Sequence, residues 1–364
     1  MSEIKNMQAL ESILEEKCKD SSKFPKMPND YFTQYCGFLN YLRTHIYAHI
    51  NAGLSSNSAV PGYYTSHDAE HFDEVVRYAG DLLSADSCEV GKWDILSPYE
   101  LYVLLIAIRI HDIGNIHGRE DHEKRCFPFL REHKNLLGND ISELKIIANI
   151  AQAHGGKTNG NRDTIGLLNQ TELVGKFSIR SRLLAAIVRF ADEICENSGR
   201  AATYLLQQND LPKHSEIYHK YADSVRGAVY GAAERRVNIH FKLTTDDVAK
   251  PWGSEDRSKD PAVPICEVYL VDEILDRLEK MDRERRYCNV YSRGTYAVES
   301  IRATIDIIDP ETHEVLEQIP IPELMDNGYP DNTSPHLKDR LSKYCGPAFA
   351  LKYVETATGD EHGQ

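Results

Sequence analysis

The feature that most constrains this fold is an apolar helical run, LLIAIRIHDIGN over residues 104–115, that ends abruptly in His111 and Asp112. An imidazole beside a carboxylate at the end of a buried helix is costly to remove from water, and a divalent metal is the usual compensation. The chain must therefore surround this helix with other apolar elements. It must also bring further ligands to the end of the helix.

Further candidate ligands occur on both sides of this run. His67 and His71 are four residues apart in TSHDAEHFDEVV, on one helix face, and His122, His154 and Asp192 follow downstream. Each lies in or beside a predicted helix whose apolar face points the same way as the candidate ligand. Several helices can then converge their polar ends on one point, as in the metal sites of other helical folds.

Helix start and stop signals favour the same arrangement. Ser97, Pro98 and Glu100 form a capping box with proline at the first helical position, so the central helix is predicted to begin there. Gly114 permits a turn directly after the His-Asp pair. A second helix, 142–154, likewise stops at Gly155 just after a candidate ligand. Helices that end in this way expose their last polar residues to a site.

Three cations are candidates for substrate binding. Lys157 and Arg162 lie in the loop GGKTNGNR, which favours a phosphate clamp beside a metal ligand, although an exposed polar loop accounts for the pattern equally well. Arg189 precedes Asp192 by three residues and is predicted to orient that carboxylate or to contact substrate. The alternative interpretation is a simple buried salt bridge between Arg189 and Asp192.

These residues, in this order, resemble a known family. His71 in the context HxxxV, then His111 and Asp112 in LLxxxxxHDIG, then Asp192 in RFAD resemble the HD superfamily of metal-dependent phosphohydrolases. His122 resembles one of the two extra histidines of its two-metal members, and His154 resembles the other. SPYELYVLLIAIRIHDIG with REDHEKR is similar to the HD-CE subgroup, which occurs in bacterial conflict and signalling contexts. The resemblance covers residues 63–200.

The resemblance implies a ligand set and a cofactor. One metal would be held by four side chains, His71, His111, Asp112 and Asp192, and a second by His122, His154 and a bridging Asp112. Mixed imidazole and carboxylate ligation suits one or two divalent transition metals, Mn, Fe, Co, Ni or Zn, with Mg also admissible. The catalytic residues are predicted to be Asp112, His67 and His122, with His67 at the mouth of the site.

The resemblance also implies hydrolysis of a phosphoester or phosphoanhydride in a nucleotide. Ala153 stands where the cyclic-di-GMP phosphodiesterases have a second histidine, and residues 63–200 contain no GYP element, so a nucleoside or deoxynucleoside triphosphate is the leading substrate. A cyclic or linear signalling nucleotide is the main alternative. A di-iron oxygenase or a non-catalytic nucleotide sensor is also compatible with the same ligand set.

Composition limits the partners. A net charge of −14 argues against general nucleic-acid binding, which needs a basic face, but allows a small-molecule nucleotide in a pocket. No apolar run is long enough for a membrane span, and the 8 cysteines show no CxxC pair, so a cytoplasmic protein with reduced thiols is expected. By analogy we expect a homo-oligomer, with a regulatory protein or nucleotide as a further partner.

The predicted architecture is mainly α, a helical HD-type domain with a C-terminal α+β appendage. The predicted divisions are an N-terminal helical segment over 1–58, the metal-dependent domain over 59–208, and an α+β domain over 209–364 whose tail, 357–364, is disordered. In that last domain we predict a helix over 215–233, a strand over 237–243, a polar loop over 247–261, a long helix over 268–285, and a hairpin of strands 303–308 and 315–319.

Overall fold

The computed structural model describes residues 7–26, 30–56, 65–158, 160–255, 265–326 and 336–358. The chain forms two compact units. The first comprises residues 1–61, 67–195 and 285–297, and the second comprises residues 62–66, 196–284 and 298–364. The structure confirms the predicted fold class, mainly α with smaller sheets in the C-terminal part. Among the described residues, none of the helices combines the length and hydrophobicity needed to cross a bilayer. The domain boundaries predicted from the sequence stay a prediction.

The first unit is helical. Its α-helices are α1 Ala9–Lys17, α2 Tyr31–His45, α3 Tyr47–Ser56, α4 Ala69–Leu82, α5 Pro98–Ile110, α6 Cys126–Glu132, α7 Ile141–Gln152 and α8 Ser181–Glu193. A short antiparallel hairpin, β1 Glu172–Val174 with β2 Phe177–Ile179, precedes α8. Short 3-10 helices follow the central helix at Ile113–His117 and His122–Arg125.

Helix α5 forms the centre of this unit. The predicted capping box is present, because the Ser97 hydroxyl accepts from the backbone N–H of Glu100 and the Glu100 carboxylate accepts from that of Ser97. Every residue of α5 from Tyr99 to Ile110 is buried. The helix packs against α1, α2, α4, α7 and α8. A helix that is apolar on all sides needs such enclosure, and this enclosure holds its C-terminal end in place.

A buried ion-pair network fixes α5 to the helices before it. The fully buried guanidinium of Arg109 pairs with Glu11 at 2.7 Å and donates to the Tyr35 hydroxyl at 3.0 Å. It also pairs with Asp73 of α4, whose carboxylate accepts from Arg43 at 2.7 Å. Charges at this depth are tolerated only when they are paired and hydrogen-bonded. The network therefore ties α1, α2 and α4 to the turn that precedes His111.

The second unit is built on a sheet. Its strands are β3 Val225–Gly231, β4 Arg236–Thr244, β5 Trp252–Glu255, β6 Ile265–Val268, β7 Ser300–Ile308, β8 Val315–Ile319 and β9 Leu324–Met325. Its helices are α9 Thr203–Gln208, α10 Glu216–Ser224, α11 Thr245–Val248, α12 Leu270–Ser292, α13 Leu337–Arg340 and α14 Gly346–Thr358. The last residues of α12, 285–292, belong to the first unit.

The main sheet has the order β3-β4-β7-β8, with β9 also paired to β7. Strands β3 and β4 are antiparallel, β4 and β7 are parallel, and β7 and β8 form the predicted hairpin. Alternate residues of β4, from Val237 to Leu243, are buried, as their alternation predicts. The opposite face of β4 is only partly covered.

Several local predictions were wrong. The helix predicted over 215–233 ends at Ser224 and continues as strand β3, and the polar loop predicted over 247–261 contains the end of α11 and all of strand β5. The apolar stripe from Tyr31 to Ile50 predicts a single helix that ends at Gly53, but the structure divides it at Ile46 into α2 and α3. In the predicted disordered tail, residues 357–358 are the end of α14, and residues 359–364 lie outside the described part of the chain.

Candidate metal centre

The end of α5 delivers its two polar residues into the interior of the first unit. His111 is fully buried and Asp112 is 3 % exposed. The chain then turns at once into the 3-10 helix Ile113–His117. Asp112 is thus held by rigid backbone on both sides, and its carboxylate lies at the centre of the site.

Four other elements bring the remaining predicted ligands to this carboxylate. His71 lies in the first turn of α4, whose N-cap Asp68 accepts from the backbone N–H of His71 at 3.4 Å. His122 begins the second 3-10 helix, and Asp192 lies one residue before the end of α8. His154 follows α7 by two residues. The helix ends therefore converge on Asp112, as the sequence indicated.

One oxygen of Asp112 faces the first group of ligands. Its Oδ2 lies 3.9 Å from Nε2 of His71 and 3.7 Å from Nε2 of His111. Oδ1 of Asp192 lies 3.4 Å from the same atom of His71 and 3.5 Å from that of His111. Two imidazoles and two carboxylates therefore surround one point. Asp192 is the most open of them, with 27 % of its side chain exposed.

The other oxygen of Asp112 faces a second group. Its Oδ1 lies 2.9 Å from Nε2 of His122 and 3.5 Å from Nε2 of His154. These three ligand atoms lie within 4.8 Å of one another, as do those of His71, His111 and Asp112. A carboxylate with one oxygen in each group is the arrangement that bridges two cations.

The histidine rings are oriented for binding through Nε2. Since a backbone carbonyl only accepts, an Nδ1 atom that bonds to one must carry the proton, and Nε2 of a neutral ring then presents a lone pair. Three of the imidazoles donate from Nδ1 to the carbonyl oxygen three residues earlier: His111 to Ile108 at 2.8 Å, His122 to Arg119 at 2.9 Å, and His154 to Ala151 at 2.7 Å. Such outer contacts fix the tautomer of metal-binding histidines.

The Nε2 atoms that face the centre of the cluster are better suited to a metal ion than to hydrogen bonds within the cluster. Buried Nε2 atoms of His111 and His122 make no hydrogen bond with any residue that the structure describes. The Nε2 atom of His122 is close enough to Asp112 for a hydrogen bond, but its angle to the carboxylate is unfavourable. A buried polar atom left without a partner costs about 1–3 kcal/mol. A divalent cation at the shared point would satisfy these atoms, and the donor set of imidazole nitrogen and carboxylate oxygen suits a transition metal.

The charges of the cluster favour a cation. Burial alone would raise the pKa of Asp112, but the charge of His111 and the close imidazoles of His122 and His154 hold that pKa well below its usual range. Burial lowers the pKa of His111, yet the carboxylates of Asp112 and Asp192 outweigh this effect and raise it to about 9. The same histidines, His111 and His71, outweigh burial and lower the pKa of Asp192, so both carboxylates stay ionised at neutral pH and hold a proton on His111. A metal ion would replace that proton.

His67 lies beside the first group. It is 6 % exposed, and its Nε2 atom lies 3.5 Å from Oδ2 of Asp112, while its ring centroid lies 5.2 Å from that of His71. The sequence placed His67 at the mouth of the site, whereas the structure buries it against the carboxylate. Its catalytic role, like those of Asp112 and His122, stays a prediction.

The predicted substrate-binding cations have different surroundings. Lys157 and Arg162 are exposed, on either side of a tight turn closed by Thr158 and Asn161, and neither forms an ion pair with a described residue. Arg189 instead donates to the Thr164 hydroxyl at 3.0 Å. Its guanidinium also lies 4.8 Å from the centre of the Tyr287 ring. Arg189 is therefore engaged with the loop that follows His154.

Contacts that the sequence did not predict support the histidines. The Thr164 hydroxyl donates to the Ala153 carbonyl at 2.8 Å, directly before His154. The carboxylate of Glu123, 5 % exposed, lies 3.4 Å from Nδ1 of His122. Sγ of Cys195 lies 3.6 Å from Nδ1 of His71. Glu123 was detectable as the neighbour of a candidate ligand, but Thr164 and Cys195 carry no sequence signal of this kind.

We expect Thr164→Val to weaken binding at the second group. The change removes the hydrogen bond that holds the Ala153 carbonyl, so His154 is less well oriented, and outer contacts of this kind contribute about 10–100-fold in metal affinity. Isothermal titration with Mn²⁺ measures the effect. Thr203→Val, at an exposed threonine of the second unit, is the control. Unchanged affinity at both groups in Thr164→Val would contradict this role.

Gly114 is required for the position of His122. A Cβ atom built on Gly114 would lie 1.9 Å from the carbonyl oxygen of His122, so Gly114→Ala must displace that backbone. We expect loss of metal from the second group and a fall in unfolding free energy of about 1–3 kcal/mol, the usual cost of overpacking. Metal analysis and thermal unfolding measure these changes. Gly91→Ala is the control, because a Cβ there meets nothing within 4 Å. Equal behaviour of the two variants would refute the argument.

Comparison with known proteins agrees with this geometry. A family model for HD-CE, an HD-domain-related family, matches residues 60–280. No curated protein and no solved structure matched the chain. The matched region is more than half of the 364 residues, and it contains all the ligands described above. The match confirms the resemblance found in the sequence, and, with the His/Asp cluster, it points to a metal-dependent hydrolase. The chain belongs to the HD-CE family.

Proposed function

We propose that the protein hydrolyses a phosphoanhydride or phosphoester bond in a nucleotide, with a nucleoside or deoxynucleoside triphosphate as the preferred substrate. The observation that supports this most is the division of Asp112. One carboxylate oxygen faces His71 and His111, and the other faces His122 and His154. The family resemblance associates such a reaction with bacterial nucleotide signalling and phage defence.

Two cations would be held by side chains of the first unit. His71, His111, Asp112 and Asp192 would hold one, and His122, His154 and the second oxygen of Asp112 would hold the other. Divalent metals at these positions lower the pKa of water and offset charge on phosphoryl oxygens. Mn, Fe, Co, Ni and Zn suit these donors, and Mg is also admissible.

The remaining residues would guide the substrate. Asp192 is the most exposed ligand, so the phosphates would approach on its side of the cluster. Lys157 and Arg162 offer exposed charges in the loop after His154 and would neutralise the phosphate tail. His67 would hold a proton near the leaving group, close to Oδ2 of Asp112. We assign Arg189 to the positioning of His154, through Thr164, in place of the predicted substrate contact.

The net charge of the chain and the lack of a paired histidine at His154 support this substrate class. A chain with a net charge of −14 repels an extended nucleic-acid backbone, whereas local cations and bound metals can attract a single nucleotide. Ala153 stands beside His154 where a paired histidine would favour cyclic-di-GMP. A triphosphate offers the most charge to the loop cations.

The test is product release from a panel of nucleoside triphosphates, deoxynucleoside triphosphates and cyclic dinucleotides, with Mn, Mg, Fe, Co or Ni. Phosphate, pyrophosphate or triphosphate released by the native chain, and not by Asp112→Ala, would support the proposal. Opening of cyclic dinucleotides alone would replace the substrate class with a signalling nucleotide. Iron-dependent oxygen consumption without phosphate release, or tight binding without turnover, would overturn hydrolysis in favour of an oxygenase or a sensor.

A further inference from the structure

A cationic depression lies on the partly covered face of the main sheet in the second unit. It encloses about 300 Å³, and its lining includes the side chains of Arg226, Asn238, His240, Arg302 and Thr304. These residues come from strands β3, β4 and β7, and none belongs to the metal centre. The volume is at the lower end of the range for small-ligand sites. No sequence motif marked it, because its residues are brought together only by strand pairing.

A β-bulge and a glycine create the depression. The register of β3 and β4 shifts between Val225 and Gly227, which makes Arg226 the extra residue of the bulge. Bulges redirect side chains, and here both Arg226 and its neighbour Gly227 line the same depression. Gly227 is paired with His240 across the strands. A Cβ atom on Gly227 would meet nothing within 4 Å. The space beside His240 is therefore open because residue 227 has no side chain.

The lining side chains have more hydrogen-bond donors than their contacts within the protein use. His240 already donates from Nε2 to Asp306 at 2.9 Å, so the spare donors come from its neighbours. Arg302 bonds to Glu323 through one terminal nitrogen at 2.9 Å, which is a small part of what a guanidinium can donate. Arg226 is exposed and forms no ion pair with any residue in the described part of the chain.

The polar side chains between the cations also face the depression as donors. The amide oxygen of Asn238 accepts from Arg236 at 3.1 Å, so its amino group is the end left for a ligand. The Thr304 hydroxyl lies on the neighbouring strand, and His240 and Thr304 occupy paired positions of β4 and β7. Two guanidinium groups, an amide and a hydroxyl on neighbouring strands form a donor set that matches phosphoryl oxygens.

We propose that this depression binds the phosphate group of a small anionic ligand no larger than a mononucleotide. The excess of donors excludes a metal cation or a basic peptide as the occupant. Its described lining holds no Phe, Tyr or Trp ring for base stacking, which distinguishes it from a single-strand nucleic-acid surface. The site is independent of hydrolysis at the metal centre, so it stands or falls separately from the proposed function.

The experiment uses the full chain carrying Asp112→Ala, in EDTA, so that the metal centre cannot contribute. Isothermal titration with pyrophosphate and with ATP is expected to show saturable binding. Arg226→Gln is expected to weaken it about tenfold, because a charged hydrogen bond is lost. Gly227→Val fills the depression with a residue that favours strands, and binding should fall below detection.

Arg235→Gln is the matched control, because this exposed arginine lies next to β4 and pairs with Glu299 outside the depression. It should bind both probes as the parent does. Thermal unfolding identifies any variant that has lost its fold. Arg226→Gln removes a charge and Gly227→Val fills space, so either variant tests the proposal if the other does not fold. No saturable binding by the parent, or equal binding by parent, Arg226→Gln and Gly227→Val, would overturn the proposal.

Discussion

Replacing Asp112 with alanine is expected to remove both metal ions and to lower nucleotide hydrolysis by at least about 1000-fold. Each of its carboxylate oxygens faces one group of histidines, at 2.9 Å from His122 and 3.7 Å from His111, so no other described side chain can connect the two groups. A bound metal contributes several kcal/mol to catalysis, and about 4 kcal/mol corresponds to this loss of rate. Metal analysis and product release measure the two effects.

The matched control for this variant is Asp94→Ala. Asp94 is exposed and forms no ion pair with a described residue. It should keep the metal content and turnover of the native chain. If Asp112→Ala retained two metals or native turnover, the carboxylate would not be the bridge, and the roles assigned to both groups would fail together.

Replacing His154 with alanine is expected to remove one metal ion and leave the other. His154 approaches only Oδ1 of Asp112, at 3.5 Å, while His71 and Asp192 meet on the opposite side, 3.4 Å apart. His71→Ala should give the reverse result, with the second group still able to bind. We expect turnover to fall about 100-fold or more in each variant, because each loses the several kcal/mol that one metal supplies. Metal content per chain, measured after dialysis, separates the two cases.

His49→Ala is the control for the histidine variants, because its side chain is exposed in α3 and lies outside both groups of ligands. It should bind and turn over as the native chain does. Loss of both ions from His154→Ala would mean that the two groups form one indivisible site. Retention of both would mean that His154 is not a ligand.

The sequence predicted that these side chains lie together because the information for this is local. Each candidate ligand lies at or near a helix end, and capping signals such as Ser97 and Gly114 locate those ends without knowledge of the tertiary structure. The central apolar helix required burial on all sides. Convergence of the ligands followed from these two conditions together, and the distances around Asp112 agree with it.

The second unit was harder to predict because its order depends on pairing over long distances. Val225–Gly231 is a strand because it lies beside β4, which is itself paired in parallel with β7 some sixty residues later. A helical pattern through 215–233 competes on local grounds and is overridden by that pairing. In the first unit, the contacts of Arg189 were equally hard to predict, since its partners Thr164 and Tyr287 are distant in sequence.

The most direct test of the central claim is a titration of Mn²⁺ into the EDTA-treated native chain, with hydrolysis of the best nucleotide measured against metal bound per chain. If Asp112 bridges two ions that act together, turnover should stay low through the first equivalent, rise with the second, and remain low throughout in His154→Ala. Full turnover with one Mn²⁺ per chain, or turnover in the metal-free protein, would contradict the two-metal account.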